Sequence, residues 1–585
     1  MFELSSGERQ LVAILSAWAL NVPLLLLDEP TANLDYAAIE YLKELLKRLK
    51  SLGYTLIINE HRLYYLRDIA DEYLLIEQGK LKARLSCERL LSLSENELAE
   101  LSLRAIDLSA LEYTCAATET DIKKYLELRG IQFGYNRQDG ILRDVCLKAE
   151  TGEVIGIIGS NGCGKTTLGK LIAGLYNPTA GEICFGTNKL SKRELADNAI
   201  FIMQEAEFQF FTNSVINELE YGRTVTPELR EIIKSLLIRS DLWEIRERHP
   251  FTLSGGQMQK LALLLAYLSD KPIVILDEPT AGLDKDSLQS CAELIAEMRK
   301  QKIVFIITHD LELISQSCTR ALYISKGVIE REFDLLKGEF SKLFSYMRTH
   351  MELTDNYRKG SKHNNQQLCD PRVKLIYLVA AVLISGSSFT YAVAGAFIAS
   401  LVLCLYERRY KIAAISGAIF TALHILHLTF HGALTTFAAL FFPKLLLIWV
   451  VAVLLAEGGD SSRIIAALRW FHIPERVIMI CAVTLRFFPA LQNDVMLAVQ
   501  SVKTRGKKRK LLYQVKHLPE YFEMMIVPMI FRTIRIAEAL SASAEVRGID
   551  LSGRKQSYIR LRIKWSDLVF ILLLIGFVIG GIFIN

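Results

Sequence analysis

At 585 residues the chain is longer than a single hydrophobic core sustains, so it holds several domains. Apolar residues make up 51%, unevenly: 1–370 read as a soluble α/β protein and 373–585 carry long apolar runs, so the net charge of +5 mixes two unlike parts and says little. Ten scattered cysteines with no CxxC pair indicate neither a disulfide framework nor a zinc site, and no basic stretch followed by an apolar core opens the chain as a signal peptide would.

The first segment carries three landmarks: LSSGERQ at Leu4–Gln10, LLLLDEPTANLD with Asp28, Glu29 and Asp35, and His61. Each returns downstream. LSGGQMQ begins at Leu253 and IVILDEPTAGLD holds Asp277, Glu278 and Asp284, all 249 residues on, while His309 follows His61 by 248. A shared offset means two copies of one domain, head to tail. We place copy one at 1–120 and copy two at 121–348. A polar linker fills 349–370, and a membrane region occupies 371–585.

Copy two contains a segment that copy one lacks. EVIGIIGSNGCGKTTLGKLIAGL reads as an apolar strand, a glycine-rich loop and a helix, the context that marks a phosphate-binding loop. The counterpart of Lys165 in copy one would fall 84 residues before Met1. Either the front of a tandem protein has been lost from the gene, or a half-domain survives without its early strands. Parallel sheets are buried on both faces, so missing strands would expose apolar surface and orphan backbone groups. The expectation is therefore a fragment, with an in-frame glycine-rich loop about 84 codons upstream.

In the loop of copy two, Gly159, Gly162 and Gly164 let the backbone N–H groups turn toward phosphates, and the helix N-terminus adds partial positive charge. Ser160, Asn161, Cys163 and Thr167 complete the cradle; Lys165 suits the β- and γ-phosphates and the Thr166 hydroxyl suits Mg²⁺. KPIVILDEP reads as a buried strand ending in two carboxylates, Asp277 for the Mg²⁺ shell and Glu278 to polarise the attacking water.

With these motifs, residues 126–335 resemble an ABC-transporter nucleotide-binding domain over its whole length. The resemblance implies further roles. Tyr135 would stack on adenine, Gln204 would sense Mg²⁺ and the membrane partner, and Ser254, Gly255 and Gly256 would form the signature. Asp284 would close the D-loop, and His309 would be the switch histidine. It also implies that two such domains sandwich ATP head to tail. One composite site would then join Lys165, Asp277, Glu278 and His309 to Ser5, Ser6 and Gly7 of copy one; the opposite site would have Glu29, His61 and the Ser254 signature, with its phosphate loop missing or supplied by another ATPase subunit.

Beyond the linker, apolar stretches near 373–389, 391–406, 412–431, 436–456 and 567–584 suggest about five bilayer spans. Basic residues in YERRYK (406–411) and in the long 457–566 segment put both on the cytoplasmic side. Within about 475–548 the pattern is amphipathic, and two helices end in Arg505-Gly506 and Arg547-Gly548. KKRK at 507–510 could also serve anionic lipid headgroups. His424, His427 and His431 share a helical face, open to a metal path or to plain packing.

This second part resembles the transmembrane component of energy-coupling factor (ECF) transporters. There the resemblance implies coupling helices whose arginines engage acidic residues near the ATPase Q-loops, and a separate membrane subunit that binds the substrate. The expectation is thus α/β P-loop ABC ATPase domains, the first partial, followed by an all-α polytopic membrane domain. It would be an ATP hydrolase using ATP and Mg²⁺ in a prokaryotic plasma membrane, importing a vitamin, precursor or metal ion, with no nucleic-acid partner. The rival readings are a self-contained ABC exporter and a membrane-tethered non-transport ATPase.

Overall fold

The computed structural model describes residues 6–19, 21–32, 34–77, 79–116, 124–135, 140–353, 369–386, 390–429, 433–457, 461–504, 526–538, 561 and 563–584. They divide into two units, Met1–Arg358 with Asp494–Asp550, and Lys359–Asn493 with Leu551–Asn585.

In the first unit the strands VIGII, IVILD and IVFII of copy two are apolar throughout and buried at every position. That is what a parallel sheet covered on both faces demands. They belong to a six-stranded sheet ordered Ala199–Ile202, Ile273–Asp277, Ile303–Ile307, Val154–Ile158, Arg320–Ser325, Val328–Asp334, in which only the last pair is antiparallel. Because neighbouring strands run the same way, the loops after Ile158, Asp277 and Ile307 open on one edge. A separate antiparallel sheet, ordered Leu142–Glu150, Tyr125–Phe133, Ala180–Phe185, Asn188–Lys189, leads to Tyr135.

Copy one repeats the landmarks in two smaller sheets. Leu24–Asp28 pairs in parallel with Thr55–Asn59, and Glu72–Glu77 pairs antiparallel with Lys80–Ser86. In copy two the strand Val154–Ile158 joins the matching pairs, and no described strand does so in copy one. Leu26 is consequently 70% exposed where its counterpart Ile275 is fully buried. What holds copy one is its helix Tyr36–Ser51, whose Ile39, Leu42, Leu46 and Leu49 recur at helical spacing and are all buried. Its chain then crosses onto copy two. Arg104, only 3% exposed, donates from Nη2 to Asp310 at 2.6 and 2.7 Å and from Nε to Glu312 at 3.0 Å. The Tyr113 hydroxyl donates to the Cys318 carbonyl.

The second unit is helical. Pro371–Gly386, Thr390–Tyr406, Tyr410–Thr429, Ala433–Glu457 and Trp565–Ile584 fall where the five apolar stretches were read, each within a few residues of the expected bounds. By length and composition, Thr435–Leu455 is the one described helix able to cross a membrane alone; Tyr391–Tyr406, Tyr410–Leu426 and Trp565–Gly576 are shorter apolar stretches. The first helix begins with buried charges: Arg372 pairs with Asp370, and Lys374 with Glu407, each at 3.0 Å. His424 stacks on Phe420 with centroids 4.7 Å apart. The His427 side chain and His431 lie outside the described residues. Among the described residues no group of three or more His, Cys, Asp or Glu could hold a metal ion. The ten cysteines are free thiols.

Candidate active site

The phosphate loop owes its shape to glycine. Gly159 and Gly164 adopt φ of +150° and +110°, and a Cβ on Gly159 would meet the Ile324 carbonyl oxygen at 2.1 Å, so no side chain fits there. Lys165, buried at the first turn of the helix Lys165–Ile172, donates to the carbonyls of Gly159 and Ser160 at 2.6 and 3.0 Å. Thr166 Oγ1 donates to Asp277 Oδ1 at 3.4 Å.

Glu278 sits at φ +50°, an unusual conformation for a residue with a side chain. Gln259 holds it there by donating to its carbonyl oxygen at 2.9 Å, and Thr308 Oγ1 donates to its carboxylate at 3.2 Å. His309 Nε2 lies 3.8 Å from Glu278 Oε1 and is a buried nitrogen with no hydrogen-bond partner. Burial dominates the electrostatics. It pushes Asp277 up to about 6 and Glu278 up to about 7, and it holds His309 well below its ordinary value, with Lys165 and Arg62 adding to that depression.

Copy one reaches into this site. Asp35 Oδ2 accepts from the Asn161 backbone N–H at 2.9 Å, and a Cβ built on Gly7 would stand 3.9 Å from Asn161 Nδ2. A cavity of about 260 Å³ is lined by residues of both copies. Ala32, Leu34 and Arg62 come from copy one; Tyr135, Asn161, Gly162, Gly164, Lys165, Thr166, Thr167, Gln204, Asp277, Glu278 and His309 come from copy two. Tyr135 is 57% exposed at its rim, its hydroxyl 3.3 Å from Thr167 Oγ1, so it is no core tyrosine. Cys163, within the loop, is buried. Ser5 lies outside the described residues, and Ser6 begins the helix Ser6–Trp18.

For Mg²⁺, Thr166 and Asp277 offer a hydroxyl and a buried carboxylate that already face one another, with Gln204 lining the same cavity. These hard oxygens fit an ion that takes its remaining ligands from phosphates and water.

A second cavity, of about 670 Å³, gathers Glu29, His61, Gln204, Ser254, Gly255, Gly256 and Asp284. Its geometry mirrors the first. Glu29 has φ +40°, Gln10 donates to its carbonyl oxygen at 3.3 Å, and His61 Nε2 stands 3.9 Å from its carboxylate. No phosphate loop lines it among the described residues.

Two groups of contacts were not read from the sequence. Arg62 is the first; placing the copies in register at 248 residues sets it opposite Asp310. The second is the helix 526–538, which counts with the ATPase unit. Arg535 pairs with Glu207, three residues past Gln204, and donates to the Phe251 carbonyl at 2.7 Å. Phe531 stacks on Phe251 at 5.0 Å, just before the signature. Arg532 lies over the Phe208 ring and pairs with Asp494 at 3.2 Å. The arginines expected to couple, Arg505 and Arg547, and Gly506 and Gly548 with them, lie outside the described residues. A basic i, i+3 pair on an amphipathic helix was the available signal for Arg532 and Arg535.

Residues 142–281 match the ABC transporter family and residues 364–559 the cobalt transport protein (CbiQ) family. Over 338 residues, 57% of this chain, the sequence is 38% identical to an ABC transporter ATP-binding protein of Treponema denticola, covering 69% of that protein. It is 28% identical over 348 residues to the HMP/thiamine import ATP-binding protein YkoD of Bacillus subtilis, covering 55% of this chain and 64% of that one. The dimeric bacterial ABC transporter cassette MJ0796 aligns with 36% of this chain and 98% of its own, at 26% identity and a TM-score of 0.33. The chain belongs to the ABC transporter ATP-binding family: it is an ATP hydrolase that also carries, in the same polypeptide, a CbiQ-type component of an energy-coupling transport system.

Proposed function

We propose that this chain is the ATP-driven coupling module of an ECF-type importer, working with a separate membrane subunit that binds the substrate. The observation that carries the reading is Arg535 on Glu207. A helix from the CbiQ-matched segment is docked three residues past Gln204 of an ATPase cavity. Movement of the Gln204 segment on nucleotide binding would therefore be felt by that helix directly.

At the cavity, Lys165 and the loop N–H groups bind the phosphates, Ala32, Leu34 and Arg62 of copy one form the opposite wall, and Gly7 and Asp35 stand beside Asn161. Glu278 takes the proton of the attacking water, and His309 holds the γ-phosphoryl group beside it. Thr166 and Asp277 would hold Mg²⁺, which would supply positive charge to the bound phosphates. The substrate we propose is a vitamin, a vitamin precursor or a transition-metal ion, in keeping with the cobalt-transport family match and the HMP/thiamine relative.

The test is uptake in proteoliposomes containing the full chain and a candidate substrate-binding membrane subunit. ATP should drive accumulation, Lys165→Ala should abolish uptake and hydrolysis together, and Arg535→Glu should cut uptake about tenfold while hydrolysis stays within about threefold. Restored uptake in the Arg535→Glu, Glu207→Arg pair would support the docking. ATP-driven efflux by the chain alone would overturn the importer reading.

A further inference from the structure

Arg62 occupies the place after the copy-one histidine that copy two gives to Asp310. In copy two, Asp310 accepts the Thr280 hydroxyl at 2.9 Å and binds Arg104. In copy one the matching threonine, Thr31, donates its hydroxyl to Glu60 instead, at 2.6 Å. Glu60 also accepts the backbone N–H groups of His61 and Arg62, at 2.9 and 3.2 Å. The acid that braces the loop has moved two residues back, and the place after the histidine is released for a cation.

That cation is not spent on copy one. Arg62 is 8% exposed, and among the described residues its side chain makes one hydrogen bond, a long one from Nη1 to the Thr31 carbonyl at 3.5 Å. Among the described residues it forms no ion pair. It lines the copy-two cavity together with Lys165, Gln204, Glu278 and His309. Carboxylates of Glu278 and Asp310 lie near enough to feel its charge but not within ion-pair distance, so an anion that enters the cavity would complete its environment, and its planar fork suits a phosphoryl group.

We propose that Arg62 of copy one contacts the γ-phosphoryl group of ATP held by copy two and stabilises its charge during transfer. The inference rests on the ATP-binding reading of the Lys165 cavity. As the water oxygen bonds to the γ-phosphorus and its proton passes to Glu278, the bridging P–O bond breaks with its electron pair on ADP. The guanidinium neutralises the equatorial oxygens and exchanges no atoms. Its charge also opposes the effect of burial at Glu278 and disfavours protonation of His309.

The experiment compares binding of ATPγS and ADP, and steady-state ATP turnover, in the purified full chain and its Arg62 variants. Arg62→Ala should slow turnover about a hundredfold or more and weaken ATPγS about tenfold, with ADP within about twofold; Arg62→Lys should recover part of both. Should the alanine variant fail to fold, the ATPγS-to-ADP ratio of Arg62→Gln decides in the same way. Equal loss of both nucleotides, or no change in either, overturns the proposal. Lys165→Ala separates the two levels. If it abolishes binding of both nucleotides while Arg62→Ala changes neither, only the arginine is misassigned; if both nucleotides still bind to Lys165→Ala, the cavity reading falls.

Discussion

The two copies carry the same acid, glutamine and histidine in nearly the same geometry, yet in different surroundings. Glu278 and His309 are walled in, 14% and 9% exposed at their side chains, whereas Glu29 and His61 stand at 35% and 40%. The difference traces to the phosphate loop and the strand before it. In copy two, Val154–Ile158 closes the sheet and Gly159–Thr166 roofs the carboxylates; in copy one neither is present among the described residues. The same short motif therefore yields a fully buried base raised to about 7 in one copy and, in the other, a half-buried glutamate that burial also raises. A motif names the chemistry, and its neighbours set the electrostatics that let it work.

The sharpest way to break this comparison is to remove each base in turn. Glu278→Gln should lower ATP turnover by about a thousandfold, and Glu29→Gln should leave it within about twofold, in a coupled-enzyme assay on the full chain. Equal losses would mean the copies share the work.

A second test reads the sheets. Ile275→Ala, deep in the closed sheet, should cost about 2–5 kcal/mol in chemical denaturation of copy two, while Leu26→Ala at the matching exposed place should cost less than about 0.5 kcal/mol. A large cost at Leu26 would show that its face is covered in solution.

The comparison also fixes a pH dependence. Burial raises the Glu278 carboxyl to about 7, so below that pH it is protonated and cannot accept a proton. Turnover should fall about tenfold per unit as the pH drops below 7 and level off above it. A limb near the ordinary carboxylate value would contradict the burial account. The smallest effect expected is at the rim. Tyr135→Ala should weaken ATP binding only about threefold to tenfold if the ring stacks on adenine as proposed, since the phosphate-facing residues of the cavity are left in place.

Much of copy two was legible in the sequence because its signals are local. The glycine pattern of the phosphate loop, the apolar strand ending in Asp277-Glu278 and the strand before His309 each declare themselves within about ten residues. The helical second part announced itself by apolar length. What stayed hidden depends on distant packing. Arg62 looks like an ordinary basic residue until the copies face each other, because the acid that braces Thr31 is Glu60, two positions before the place that Asp310 holds in copy two. Nothing local in the sequence marks Arg104, although it is buried against Asp310 and Glu312. Arg532 and Arg535 sit on an amphipathic helix whose pattern shows that one face is covered but not what covers it.

The central claim is that ATP is held between the phosphate loop of copy two and the signature of copy one, and the signature glycines test it most directly. Gly7 and Gly256 are matched positions, each backed by the D-loop leucine, with a built Cβ 3.1 Å from Leu34 and 3.4 Å from Leu283 respectively. Turnover by the purified full chain should be abolished in Gly7→Asp and retained in Gly256→Asp. Activity that survives Gly7→Asp and vanishes in Gly256→Asp would contradict it.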